Sequence, residues 1–384
     1  MVIGLALAMD IYVPSLPHIS EIFHVSARDI QLTLTLFMLT SGIMQLIIGP
    51  LSDQFGRKIT SFVTIAIFGI GTLLCFYAQS ITQLVLFRII QATGACGMLV
   101  IGFAIVRDLF SGEDSAQVYS FLNGLISFSP MFAPFIGSYL DIYYGWPSTF
   151  LFLMIIPIFS FLTIGLGLEE SLPQSKRKKV TLGILLEYKS IITNKVFFIY
   201  TTATAMGLSY LYLFCSISSY IIIRTLNISE SRYGFYFAFM GLSFFIGSFL
   251  SAYIVKRIGI YRTVVTGFII SLIGSSIMLI WNLITGLTIY NFIWPMILIG
   301  IGGTLCMGAG TGGAMEPFKN IAGAASALGG AFRFLFSSFI GAVVIGETVT
   351  STLPLALPAF LFSIIGILAF IFYKKNLTFG ALSH

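Results

Sequence analysis

Charge is what this chain has least of. Of 384 residues only 9% are Asp, Glu, Lys or Arg, against about a quarter in ordinary globular proteins. That is too little polar surface to keep a folded chain in water, so its solvent is lipid. The mean hydropathy of +1.00 points the same way. Acids are fewer than bases, 14 against 20, and there are only 3 histidines. No metal-ligand spacing and no nucleophile–base constellation emerges from so few groups, which argues against an enzyme. The net charge of +6 reflects how the bases are distributed across a membrane and implies no nucleic-acid partner. Cysteine is scarce too: Cys75, Cys96, Cys215 and Cys306 all lie inside apolar runs and read as small packing residues without disulfides. The N-terminus lacks a basic n-region and carries an acid in its first apolar run, so it does not read as a signal peptide.

What the chain does have is hydrophobic length. Runs of roughly 20 residues span about 30 Å of hydrocarbon. They fall near 2–17, 30–50, 60–79, 83–106, 116–140, 148–167, 196–222, 233–255, 263–283, 289–313, 320–346 and 354–373. The pattern predicts an all-α membrane protein with twelve transmembrane helices. If both termini share one side, fifteen Lys and Arg residues lie on that side. Arg28, Arg224 and Arg232 lie on the other, and Arg88 and Arg333 fall within spans. The positive-inside bias makes the basic side cytoplasmic. The longest hydrophilic stretch divides the chain into a six-helix bundle over 1–168, a cytoplasmic linker over 169–195 and a second six-helix bundle over 196–384. A faint echo between Asp53-Gln54-Phe55-Gly56 and Lys256-Arg257-Ile258-Gly259 is consistent with a repeat. In the linker, Lys176 to Lys179 are either an ordinary positive-inside run or a hold for anionic lipid headgroups. From Thr181 to Ile192 a loosely amphipathic pattern predicts a short helix lying on the membrane surface.

A charge inside a span costs about 2.5–3.5 kcal/mol or more at mid-bilayer, so it needs a partner or a water-filled cavity. Asp10 lies about 14 Å along the first span at 1.5 Å per residue. Burial there disfavours its ionised form, and a nearby cation would favour it. A carboxyl whose proton affinity depends on which side is open suits proton coupling; the plainer reading is a helix–helix hydrogen bond. Arg88 carries a charge that cannot be neutralised. It either faces the cavity and favours proton release from Asp10, or snorkels to the nearby surface. Arg333, near the middle of the eleventh span, either lines the cavity and attracts a polar or anionic substrate group or pairs with Asp10. Pro130, Pro134 and Gly137 are spaced four and three apart, on one face of the fifth span, where each proline bends the helix.

The loop from Gly49 to Lys58 reads Gly-Pro-Leu-Ser-Asp-Gln-Phe-Gly-Arg-Lys. Gly49-Pro50 is expected to end a helix and turn the chain. Asp53 and Arg57, four apart, can face each other on a helical turn. Two further motif matches carry no function. Gly308 to Gly313 fits G-x-G-x-x-G without the strand-then-helix context that a dinucleotide site needs. Its glycines continue a four-residue repeat, Gly300, Thr304, Gly308 and Gly312, that serves helix packing in lipid. Asn227-Ile228-Ser229 fits a glycosylation acceptor only by a pattern common by chance.

Gly49, Leu51, Asp53, Gly56, Arg57 and Lys58 match in place the loop signature of the major facilitator transporters, which the chain thus resembles. The run Asp10-Ile11-Tyr12-Val13-Pro14-Ser15-Leu16-Pro17 resembles the first helix of the bicyclomycin/chloramphenicol-resistance (Bcr/CflA) drug:proton antiporters within that superfamily. The resemblance implies two six-helix halves with a substrate path between them, and gives Asp10 a part in proton and drug recognition. It also implies that Asp108, closing the fourth span, joins Asp53 and Arg57 in a charge cluster that latches the inner gate. Ser129 to Gly137 is similar to the exporter-type signature. Arg88-Ile89-Ile90-Gln91-Ala92-Thr93-Gly94 departs from the family's Arg-x-x-Gln-Gly by the residues before the glycine, and Pro147 stands where an arginine is frequent. The implied activity is proton-coupled efflux of drug-like molecules of the bicyclomycin, sulfonamide or chloramphenicol type across a bacterial inner membrane, by a monomer with no bound cofactor. Tyr12 and Gln91 are expected to line the cavity. The rivals are an exporter of one endogenous metabolite or siderophore, and a non-transporting receptor or scaffold.

Overall fold

A computed structural model describes residues 1–110, 112–177, 183–344, 346 and 350–374. Helix dominates the described residues: α1 (Gly4–Asp10), α2 (Leu16–Ile22), α3 (Ala27–Phe55), α4 (Arg57–Phe76), α5 (Ile81–Leu109), α6 (Gly112–Tyr144), α7 (Pro147–Leu153), α8 (Ile155–Gly167), α9 (Gly183–Ile192), α10 (Lys195–Ser219), α11 (Glu230–Thr285), α12 (Ile289–Met315), α13 (Ala322–Val344) and α14 (Leu353–Phe372). Among them, 10 helical stretches are long and apolar enough to cross a membrane, with α7 and α8 acting as one. The stretch α11, at 56 residues, is far longer than a bilayer at 1.5 Å per residue. It breaks at Gly259, where φ is +82°, and so supplies two spans. The segment Gly4–Ile22 is interrupted by a 3₁₀ turn over Val13–Ser15, because Pro14 has no N–H to give a continuous helix. It is the remaining candidate for the twelfth span.

The residues sort for lipid and not for water. Leu166, Leu283 and Phe372 are among the exposed large apolar side chains, whereas Gln31, Gln45, Gln91, Asp10, Arg57 and Arg88 are among the buried polar ones. Without a hydrophobic drive between helices in lipid, close contact relies on small residues. The four-residue repeat on α12 shows this. Side chains added at Gly300 and Gly308 would meet Ser243 and Ser251 of α11, and Gly247 of α11 lies against Thr304. All four cysteines are buried.

The chain forms two compact units, one of residues 1–182 with 229–238 and one of 183–228 with 239–384. In the first unit α4 packs on α5, with Gly71 against the Gln91 backbone and Gly94 against the Phe68 backbone. Gly94 therefore serves helix contact despite its displaced position in the sequence pattern. In the second, α10 packs on α12 with Gly207 against the Gly303 carbonyl. The amphipathic stretch before residue 192 forms α9, which exposes Leu185 and Leu186. Lys178 and Lys179 of the basic run lie outside the described residues.

One local expectation fails. Helix α3 does not end at Gly49-Pro50 but runs through Pro50 to Phe55. Membrane helices tolerate proline where neighbouring groups satisfy the freed backbone; the carbonyl that Pro50 leaves without its helical donor is that of Leu46, one turn earlier. The turn comes at Gly56, whose φ of +96° glycine adopts without steric cost.

Candidate functional site

Two charged centres occupy the first unit. The first is built on the Gly56 turn. Arg57 is buried, and its fork reaches three acceptors: Nη2 donates to Asp53 Oδ1 at 2.5 Å, Nε to Asp108 Oδ2 at 2.8 Å, and Nη1 to Ser52 Oγ. Asp53 is held by the i,i+4 spacing of one chain segment, whereas Asp108 arrives from the end of α5 and Arg107 stands 3.8 Å from its other oxygen. A planar guanidinium suits this divergent set in a way that a lysine ammonium does not.

A further acid, unassigned by the sequence reading, completes the centre. Glu170 follows α8 in the stretch taken as linker. Its carboxylate accepts from the backbone N–H of Arg57 at 2.8 Å and of Lys58 at 3.3 Å. These are first-turn amides of α4, which lack intrahelical acceptors and form the positive end of the helix dipole. Glu170 also accepts from the Leu172 N–H at 3.1 Å and pairs with Arg177 at 3.5 Å. A Cβ on residue 56 would be driven into Glu170 and Arg177. Gly56 is thus fixed by its backbone angle and by the docking of a distant segment.

The second centre surrounds the first segment. Asp10 ends α1 and is only 3% exposed. Ser129 of α6 donates to its Oδ2 at 3.2 Å. The same face of α6 presses on the break after Asp10, since a Cβ at Gly137 would overlap the Ile11 carbonyl oxygen. Pro130 and Pro134 are buried on this face. Each removes one helix hydrogen bond, which leaves α6 least braced where it meets Asp10.

Arg88 is fully buried, which excludes the surface-snorkelling alternative in this conformation. It does not pair with Asp10; among the described residues no ion pair involves either group. Its guanidinium lies over the rings of Tyr12 (4.4 Å) and Phe37 (4.0 Å). Nη1 donates to the Ala8 carbonyl at 2.8 Å and to Gln91 Oε1. Tyr12 and Gln91, expected to line a cavity, are instead buried around this cation. The Tyr12 hydroxyl is 2.7 Å from Thr33 Oγ1, and Gln91 Nε2 donates to Thr72 at 2.9 Å. Two aromatic faces, the Ala8 carbonyl and the Gln91 amide oxygen stabilise the buried cation, while its Nε and Nη2 have no hydrogen-bond partner among the described residues.

Asp141, one turn beyond Gly137 on the same stripe of α6, is a second buried carboxylate that sequence reading passed over. Its Oδ1 lies 3.0 Å from His18 Nδ1. The four-three-four spacing Pro130, Pro134, Gly137, Asp141 is the signal that would have found it. Arg333 belongs to the second unit, where Nη1 donates to Thr311 Oγ1 at 3.3 Å. A cavity of that unit, about 410 Å³, is lined mainly by apolar groups of α10 and α14 and does not include Arg333.

A lipid-facing exterior, two compact units and charged groups buried within the bundles define a multi-pass membrane transporter. The sequence profile of the Major Facilitator Superfamily matches residues 1–342, and the chain belongs to that family. It is 32% identical to an uncharacterized MFS-type transporter, YdgK, of Bacillus subtilis (strain 168), over 96% of this chain and 92% of that one. It is 26% identical to a chloramphenicol resistance protein of Pseudomonas aeruginosa, over 91% and 81% respectively. The fold is also that of a solved D-xylose–proton symporter, with a TM-score of 0.74 and 15% identity, covering 97% of this chain and 95% of the other. These relatives bear out the family expected from the first helix and the loop signature.

Proposed function

We propose that the chain exports drug-like small molecules from a bacterial cell across the inner membrane in exchange for protons. The proton gradient supplies the energy, the protein works as a monomer without a bound cofactor, and both termini are cytoplasmic. Its working halves are 1–168 and 196–384, joined by 169–195.

The observation that carries this reading is the position of Asp10. A carboxyl group stands at the broken end of α1, shielded from water and, among the described residues, held by one neutral hydroxyl. A buried carboxylate without a cationic partner is held weakly in its charged form. Proton uptake removes the charge that Ser129 solvates. It thereby loosens the hold between the first segment and α6 where the prolines leave α6 pliable. Arg88, bonded to the Ala8 carbonyl, positions the turn that carries Asp10 and is not its counter-ion in this conformation. The Asp53–Arg57–Asp108 cluster with Glu170 fastens the other end of the unit, and its breaking and remaking accompanies the change of access. The drug-resistance relative supports the substrate class.

The test is drug uptake into inverted membrane vesicles energised by an imposed proton gradient. Gradient-dependent uptake abolished by a protonophore supports the proposal; uptake indifferent to the gradient refutes it. A deletion strain sensitised to several unrelated compounds favours broad export. A single secretion defect favours the one-metabolite rival.

A further inference from the structure

The second unit holds a half-buried cation that the exchange mechanism does not use. At roughly 17 Å along α13, counting 1.5 Å per residue, Arg333 sits near the middle of its span. Beside it lies a small cavity with about 20 Å³ of free space, room for about one water-sized group. Thr201 and Thr204 of α10, Thr311 of α12 and Ser326 and Gly330 of α13 line it with Arg333.

The hydrogen-bond inventory of this cavity does not balance. The Thr311 hydroxyl gives its proton to the Met307 carbonyl at 2.7 Å, so it meets Arg333 as an acceptor. The Thr204 hydroxyl donates to the Thr201 carbonyl at 2.7 Å. The Thr201 hydroxyl is buried and has no partner. Arg333 is in no ion pair among the described residues. A guanidinium brings five N–H donors and cannot discharge, and one neutral hydroxyl is a poor counterweight for it in lipid. Donors are in excess, one hydroxyl is unmatched, and the space admits a single oxygen-sized group.

We infer that this cavity is an anion site, taking a carboxylate-type oxyanion between the Arg333 guanidinium and the Thr201 hydroxyl. The remainder of the ligand extends past Ser326, which is exposed. The inference builds on the transporter reading by adding organic acids to the molecules it handles. A free acid and the phosphate of an anionic lipid headgroup share the required chemistry.

The experiment is equilibrium binding of radiolabelled benzoate and of benzamide, its uncharged counterpart, to the full chain in nanodiscs of neutral lipid. No gradient is applied, so the result can fail while proton-driven export stands, and the reverse. The wild type is expected to hold benzoate at least tenfold tighter than benzamide. Arg333→Gln should erase that preference, Arg333→Lys should keep part of it, and Thr201→Val, conservative in shape, should weaken benzoate several-fold. Equal binding of the two probes by wild type, or a benzoate preference that survives Arg333→Gln, overturns the inference. Phosphatidylglycerol added to the discs separates the sources. Competition with benzoate that vanishes in Arg333→Gln supports the anion site and assigns its occupant to lipid. Undiminished benzoate binding supports a free acid.

Discussion

Replacing Glu170 by alanine should uncap α4. The carboxylate is the described acceptor for the Arg57 and Lys58 amides, at 2.8 and 3.3 Å. Bonds to a charged acceptor contribute about 1.5–3 kcal/mol each. Glu170 is 26% exposed on its side chain, so water replaces part of what is lost and the low end applies. The shorter bond then contributes about 1.5 kcal/mol and the longer one well under 1. A loss of about 2 kcal/mol raises the local opening constant roughly thirtyfold, since about 1.4 kcal/mol is a factor of ten. Amide hydrogen exchange at the start of α4 reads this directly, because local opening sets protection. Arg57 and Lys58 should exchange roughly thirtyfold faster in Glu170→Ala. Glu170→Gln should fall between, because it retains an acceptor but loses the interaction with the helix dipole, about 0.3–1 kcal/mol. Wild-type protection of both amides in Glu170→Ala would refute the argument that this residue fastens the turn.

Three other substitutions test the remaining contacts. Gly137→Ala places a methyl group on the Ile11 carbonyl and should cost about 1–3 kcal/mol of packing strain, seen as a lower melting temperature in detergent. Gly124→Ala, also inside α6 but with nothing within 4 Å of the added carbon, is the matched control and should melt at or slightly above wild type, since alanine favours the helix. Arg88→Lys keeps the charge but loses the planar group over Tyr12 and Phe37, each contact contributing about 0.5–2 kcal/mol; it should melt lower and transport more slowly, and wild-type behaviour in both assays would contradict the ring contacts. Arg57→Lys cannot reach Ser52, Asp53 and Asp108 together, so it should behave closer to Arg57→Ala than to wild type in an accessibility assay of the Gly56 turn.

Span positions were legible because a membrane helix writes its length in consecutive apolar residues, as α5 and α12 do. The Asp53–Arg57 pair was legible because an i,i+4 acid–base spacing is a local pattern, whereas the turn that carries it was expected at Gly49-Pro50 and lies at Gly56. What sequence spacing could not show is which distant group completes each site. Ser129 lies 119 positions from Asp10, and Glu170 lies 113 from Arg57. Pro50 misled because the rule that proline ends helices is calibrated in water, whereas membrane helices carry proline in their interior, as α3 does. Arg88 was expected on charge to favour proton release from Asp10, but in this conformation its guanidinium meets two aromatic faces, the Ala8 carbonyl and the Gln91 amide oxygen. Tyr12 and Gln91 were consequently drawn into the bundle around it.

The central claim is that Asp10 carries the exchanged proton. Its most direct measurement is proton release when drug is added to the purified protein in weakly buffered detergent solution, wild type against Asp10→Asn. The account predicts release by wild type and none by Asp10→Asn. Equal release by the two would contradict it.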